Sequence, residues 1–152
     1  MPERALLVTV DALGTRDVGR RLGTAARPGD AFLLDGELGS GKTVLVQGLA
    51  DGLGATTEVQ SPTFVLVRQY PGRLELVHAD LYRLEERREV DGLDLLELSA
   101  DGVLAVEWAE RAPWLDLPLA ARLRLGPGDG QHQRRVELIS GPAHLRQAFA
   151  AP

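Results

Sequence analysis

The chain has 152 residues, 17 basic and 22 acidic, and a formal net charge of −5. At 44% hydrophobic and 26% charged it has an ordinary globular composition, long enough for one domain over residues 1–152, and too acidic and too poor in aromatics (5%) to hold nucleic acid by itself, so no direct DNA contact is expected. Cysteine is absent, which excludes disulfides and thiolate metal sites, and asparagine is absent, which excludes N-glycans and the Asn-Lys-x-Asp motif that reads guanine in GTPases.

Ala5–Val10 reads as a short strand, interrupted by Thr9 and shorter than a signal-peptide core. No run approaches a membrane span, so the cytoplasm is the expected location. Residues 11–27 place Leu13, Val18, Leu22 and Ala25–Ala26 at helical spacing, and Arg27-Pro28-Gly29-Asp30 ends that helix in a turn. Ala31–Leu34 is a continuous apolar run, the mark of a buried strand. A glycine-rich stretch follows, then a helix from Lys42 to about Leu53, stopped by Gly54. Thr63–Tyr70 and Arg73–Ala79 read as a hairpin around Pro71-Gly72. Glu85–Glu89 and Leu93–Leu98 suggest short helices, and Val103–Val106 another buried strand. Arg122–Leu125 and Arg135–Ile139 form a second strand pair, and a last helix begins after Gly141-Pro142. The order implies an α/β fold with a mixed, partly parallel sheet and antiparallel additions.

Gly36-Glu37-Leu38-Gly39-Ser40-Gly41-Lys42-Thr43 fills the phosphate-loop pattern G-x-x-x-x-G-K-[ST] between a strand and a helix. Its glycines let the backbone wrap closely around a phosphate chain, and the amides with the helix N-terminus form an anion nest. Lys42 supplies a cation for the outer phosphates and Thr43 a hydroxyl for Mg²⁺. Lys42 is also the single lysine beside 16 arginines, at a position that suits a slim, point-like cation better than a guanidinium. The pattern predicts a P-loop NTPase-like three-layer fold that binds a nucleoside triphosphate, but it does not select the chemistry.

Such a loop needs a carboxylate at a strand end to complete its metal site. Two segments offer one: Gly102-Val103-Leu104-Ala105-Val106-Glu107 and Leu74-Glu75-Leu76-Val77-His78-Ala79-Asp80. Either acid can instead be an ordinary strand-end residue capping the next turn. His78, on an alternating strand, reads as a packed or hydrogen-bonded residue rather than a catalyst. By itself Ser61-Pro62-Thr63-Phe64 reads as a proline turn that starts a strand. The three histidines are too scattered for a zinc cluster. Arg122, Arg124, Arg134 and Arg135 read as a solvated sheet edge that discourages strand pairing.

The order GELGSGKT, VQSPTFVLV, HADLYRL and VEWAE resembles the TsaE (YjeE) family, small bacterial ATPases of tRNA threonylcarbamoyladenosine synthesis. The resemblance runs from about Asp11 to Glu110, and the tail after Pro113 adds little to it. It implies an Mg²⁺-dependent ATP hydrolase, slow without its partners, that supports the TsaD–TsaB pair in forming N6-threonylcarbamoyladenosine beside the anticodon. The tRNA would be held through those partners.

The resemblance also implies roles for single residues. Ser61 and Thr63 become nucleotide-sensing, and Asp80 becomes necessary for hydrolysis by ordering Mg²⁺ and water. Glu107 is implied as a metal ligand with Thr43, and Trp108 as packed beside the site. Asp11 to Thr15 would line the adenine pocket, and Arg134 would touch the nucleotide. Glu37, Ser40, Val44 and Ala79 depart from the usual family residues without removing an implied ligand.

Two rival readings stay open. A small-molecule kinase would use the same loop, with Arg83, Arg87 and Arg88 clamping the transferred phosphoryl group. A nucleotide-dependent interaction module would bind without hydrolysing. Tyr82 and Arg83 fit either packing against the core or contact with a partner, and Glu85–Glu89 fits a solvated helix face.

Overall fold

The computed structural model describes residues 4–37, 39–60, 67–83, 91, 93–115, 117 and 119–151. Its strands are β1 (Ala5–Thr9), β2 (Ala31–Asp35), β3 (Val67–Tyr70), β4 (Leu76–Asp80), β5 (Val103–Glu107), β6 (Ala121–Pro127) and β7 (Arg134–Ser140). They form one sheet in the order β1-β7-β6-β2-β5-β4-β3. The four central strands, β6, β2, β5 and β4, run parallel, while β7, β1 and β3 add antiparallel at the flanks. The expected mixed α/β fold is therefore the observed one.

Side-chain alternation divides the interior into two cores. Phe32 and Leu34 of β2 and Val103 and Ala105 of β5 face one side of the sheet. There they meet three helices, α1 (Ala12–Ala25), α2 (Lys42–Gly52) and, in chain order after the short α3 (Leu95–Leu98), α4 (Ala143–Ala150). Ala31, Leu33, Leu104 and Val106 face the other side, covered by Leu95 of α3, Ala109, Ala112 and the segment that carries Trp114 and Leu115. Burial on both faces explains why β2 and β5 read as unbroken apolar runs.

Helix α1 begins where the Asp11 carboxylate accepts from the Gly14 amide at 2.9 Å. It ends at Ala25, two residues before the expected boundary, and the Arg73 guanidinium donates to the carbonyls of Gly23, Thr24 and Ala26 there. That role takes Arg73 out of the strand expected from residue 73, so β4 starts only at Leu76. His144 of α4 bonds Asp30 at 2.7 Å and ties the last helix to the turn before β2.

Helices α1 and α2 approach with almost no space between their backbones. A methyl on Gly19 would lie 2.1 Å from the Leu45 carbonyl oxygen, and one on Gly48 2.0 Å from that of Arg16. Gly23 and Gly52 repeat the contact one turn on, at 2.3 Å each. Glycine spaced four apart on both helices makes this approach possible, and it fixes the start of α2 relative to the sheet. At the outer rim of the pair Arg16 donates to both oxygens of Asp51, at 2.6 and 2.9 Å.

The arginine-bearing hairpin β6–β7 corrects one expectation. It is not an edge of the sheet, because β1 pairs with β7 and β2 with β6. Arg122 instead donates to Asp35 at 2.6 Å, on the neighbouring strand. Glu85–Glu89, with Arg87 and Arg88, lies outside the described residues. Among the described residues no helix is long and apolar enough to cross a membrane.

Candidate functional site

The carboxyl ends of the parallel strands converge on one cleft, the usual ligand position in such sheets. Asp35 ends β2, Glu107 ends β5 and Asp80 ends β4, with Asp80 and Glu107 paired in register across adjacent strands. Alternation from Leu76 and Ala105, both in the helix-side core, turns His78, Asp80 and Glu107 to that same side. Helix α2 starts there, carrying Lys42 and Thr43 in its first turn.

The loop between β2 and α2 needs glycine at two points. Gly41, the residue before the helix, has φ +103°, and a Cβ on Gly36, at φ +148°, would lie 2.5 Å from the Leu125 carbonyl oxygen. The first amides of α2 have no partner within the helix, so they and the helix dipole favour an anion at this end. The Gly36 amide is held by Glu110 Oε2 at 3.2 Å and the Ser40 amide by the Glu37 carbonyl at 3.1 Å. Leu38 lies outside the described residues.

Lys42 is only 4% exposed. Its Nζ donates to the carbonyls of Gly36 and Glu37 and lies 3.7 Å from the centroid of the Trp108 ring. Burial pushes its pKa below the usual lysine range, opposed by the carboxylates of Glu110, Glu107, Asp80 and Asp35. Trp108 takes a left-handed backbone, φ +60°, as the chain leaves β5. The indole also meets Tyr82, with ring centroids 4.8 Å apart, and the Arg111 guanidinium lies 5.4 Å from the Tyr82 ring.

Thr43 Oγ1 donates to the Glu107 carboxylate, 2.8 Å from Oε1 and 3.1 Å from Oε2. His78 Nε2 lies 2.5 Å from Oε2 of the same carboxylate. Asp80 accepts from the Tyr82 amide through Oδ1 at 2.9 Å. Burial raises the Asp80 pKa above the ordinary carboxylate range, opposed by that amide and reinforced by the Glu107 charge. Among the described residues no three or more of His, Asp and Glu could hold a metal on their own. The hard oxygen set of Thr43, Glu107 and Asp80 fits Mg²⁺, which takes one or two carboxylates and completes its shell with phosphate and water.

The cleft, about 290 Å³, is lined by Ala12, Thr15, Glu37, Gly39, Ser40, Gly41, Lys42, Thr43, Val44, Asp80, Glu107, Trp108, His132 and Arg134. Most residues singled out from the sequence thus share one concavity. Asp11 does not line it, because its carboxylate caps α1, whereas Thr15 does, with its hydroxyl 2.6 Å from that of Thr9. Arg134 lines the cleft and donates to the carbonyls of Gln131 and Gln133. Ser61 and Thr63 lie outside the described residues. Sequence reasoning missed His132 and Glu110: a tight loop brings the first to the cleft and a single 3₁₀ turn brings the second to the Gly36 amide, and neither has a periodic signature.

A phosphate loop after the central parallel strand β2, with acids at the ends of the next two strands on one side, β5 and β4, defines a phosphate-loop protein with an NTPase-like three-layer fold. A family model described as threonylcarbamoyl adenosine biosynthesis protein TsaE matches residues 9–136, and the chain belongs to that family. It is 41% identical over 113 residues to the tRNA threonylcarbamoyladenosine biosynthesis protein TsaE of Nostoc sp., covering 68% of this chain and 67% of that protein. It is 48% identical over 99 residues to the TsaE of Streptomyces coelicolor, covering 62% and 67%. The crystal structure of YdiB from Bacillus subtilis is similar with a TM-score of 0.77 and 27% identity, over 97% of this chain and 93% of that one.

Proposed function

We propose that this chain is an Mg²⁺-dependent ATP hydrolase that serves the TsaD–TsaB pair in placing a threonylcarbamoyl group on the adenosine beside the tRNA anticodon, in the cytoplasm. The observation that carries the reading is the Thr43–Glu107 pair at the phosphate loop, 2.8 Å apart, with Asp80 in register on the next strand. Thr43, Glu107 and Asp80 would hold Mg²⁺. When bound, the ion neutralises charge developing on the phosphates.

The protein's own groups do the rest. The loop amides and the α2 N-terminus hold the phosphate chain, and Lys42 exchanges its carbonyl partners for phosphate oxygens. Asp80 keeps Oδ1 on the Tyr82 amide and uses Oδ2 to orient the attacking water and accept its proton. Trp108, stacked on the Lys42 ammonium, holds that cation in the loop's mouth. Thr15 and Arg134, which line the same cleft, would meet the nucleoside. Ser61 and Thr63 would report whether the γ-phosphate is present. Slow turnover alone follows if the partner completes the water's alignment. The family membership and the net charge of −5 support a division of labour in which the partners hold the tRNA.

The test is phosphate release from ATP by purified protein with and without TsaD and TsaB. Turnover that rises with the partners and disappears in Lys42→Ala supports the proposal. Near-normal stimulated turnover in Lys42→Ala would sink it.

A further inference from the structure

His78 is fully buried and two residues before Asp80 on β4. Its Nε2 lies 2.5 Å from Glu107 Oε2, and its Nδ1 has no hydrogen-bond partner among the described residues. The tautomer with its proton on Nε2 satisfies both facts: the N–H donates to a carboxylate, and Nδ1 is a lone pair rather than a stranded donor. Oε2 therefore carries the imidazole and the longer contact to Thr43, while Oε1 carries only the 2.8 Å bond from the Thr43 hydroxyl. A glutamate side chain has several rotamers open to it, and this contact pins one of its two carboxylate oxygens.

We infer that His78 is a positioning residue: its imidazole fixes the Glu107 carboxylate so that Oε1 and the Thr43 hydroxyl present a preformed oxygen pair to a divalent cation. The inference rests on the proposed reading of this cleft as an Mg²⁺–nucleotide site. Hydrogen bonds to a ligating carboxylate matter because they restrict its orientation before the metal arrives, and removing such a partner costs on the order of 10–100-fold in metal affinity or activity. A histidine that merely fills space at this position would influence stability and leave the metal response alone.

The experiment is calorimetric titration of ADP into the full chain, in Mg²⁺ and again in EDTA, for wild type, His78→Leu and His78→Gln, with the thermal midpoint of each. Glutamine carries an N–H donor the same number of bonds from the backbone as His Nε2. The expected result is an Mg²⁺-dependent gain in ADP affinity that falls about tenfold in His78→Leu and recovers to within about threefold of wild type in His78→Gln. ADP affinity in EDTA should stay within about twofold throughout, since the loop contacts are untouched. A full Mg²⁺ gain in His78→Leu overturns the role of His78 while leaving the proposed function standing. So does a glutamine variant as impaired as the leucine one, or a loss that follows only the thermal midpoint. A wild-type protein that gains nothing from Mg²⁺ overturns the reading of the site itself.

Discussion

The Lys42 ammonium stacks 3.7 Å from the centroid of the Trp108 ring while donating to the carbonyls of Gly36 and Glu37. Those contacts hold the chain's one lysine inside the loop, and burial makes its amine less protonated than a surface lysine. An amine-directed reagent should therefore report on Lys42 alone, apart from the N-terminal amine. ADP with Mg²⁺ should block the label. Trp108→Leu, which removes a cation–π contact of about 1–2 kcal/mol at this buried site, should speed labelling by roughly five- to thirtyfold. Mass spectrometry of the Lys42 peptide reads both effects, and labelling indifferent to ADP would place the nucleotide elsewhere.

Asp80 predicts a conflict between stability and turnover. Its pKa is raised above 3.8 by burial, so between 3.8 and the folded-state value the native protein binds more protons than the unfolded chain. Stability from this group therefore falls as pH rises through that window and stays lower above it. Asp80→Asn should unfold at a higher temperature than wild type at pH 7, with the difference closing below pH 3.8. The same change removes the proposed proton acceptor and should cut partner-stimulated hydrolysis by about 100-fold or more. Melting curves across pH, beside phosphate release, separate the two effects. A variant less stable than wild type at neutral pH contradicts the first.

The Asp35–Arg122 pair joins the strand that launches the phosphate loop to its neighbour β6. The Asp35 side chain is 8% exposed and that of Arg122 30%, so the two partners are unequal when separated. Arg122→Ala strands a buried carboxylate and should cost about 2–3 kcal/mol, whereas Asp35→Asn leaves a partly solvated guanidinium and should cost about 1 kcal/mol. Urea unfolding of both variants tests the order. Equal losses would mean that solvent reaches Asp35 once its partner is gone.

What the sequence shows and what it hides follow from the range of the interactions. The phosphate loop and the run from Val103 to Glu107 are local patterns, and both stand where they were expected. The hairpin β6–β7 is local too, but its pairing to β1 joins residues at opposite ends of the chain, so its interior place in the sheet had no local sign. Arg73 reads as strand from sequence because nothing near it reveals the end of α1 that it caps, about 50 residues earlier. Likewise, His78 was legible as a packed histidine, while its partner, Glu107 on the next strand, was not. The resemblance puts Asp11 in a nucleotide pocket, yet its position before a helical run also carries an N-cap signal, and the cap is where its side chain lies.

Gly48 tests how tightly the helix pair governs the loop. In an exposed helix, replacing glycine by alanine gains about 1 kcal/mol of helix propensity. Here the new methyl would sit 2.0 Å from the Arg16 carbonyl oxygen and 2.9 Å from the Arg20 amide nitrogen, both backbone atoms that cannot turn aside. The helices must separate, and overpacking of this kind costs about 1–3 kcal/mol or more, which outweighs the propensity gain. Gly48→Ala should therefore lower the urea midpoint despite its better helix former. Because α2 also carries Lys42 and Thr43, the shift should weaken ADP binding in EDTA as well as in Mg²⁺, unlike His78→Leu, which spares the former. An alanine variant as stable as wild type would show that α1 and α2 can move apart without strain.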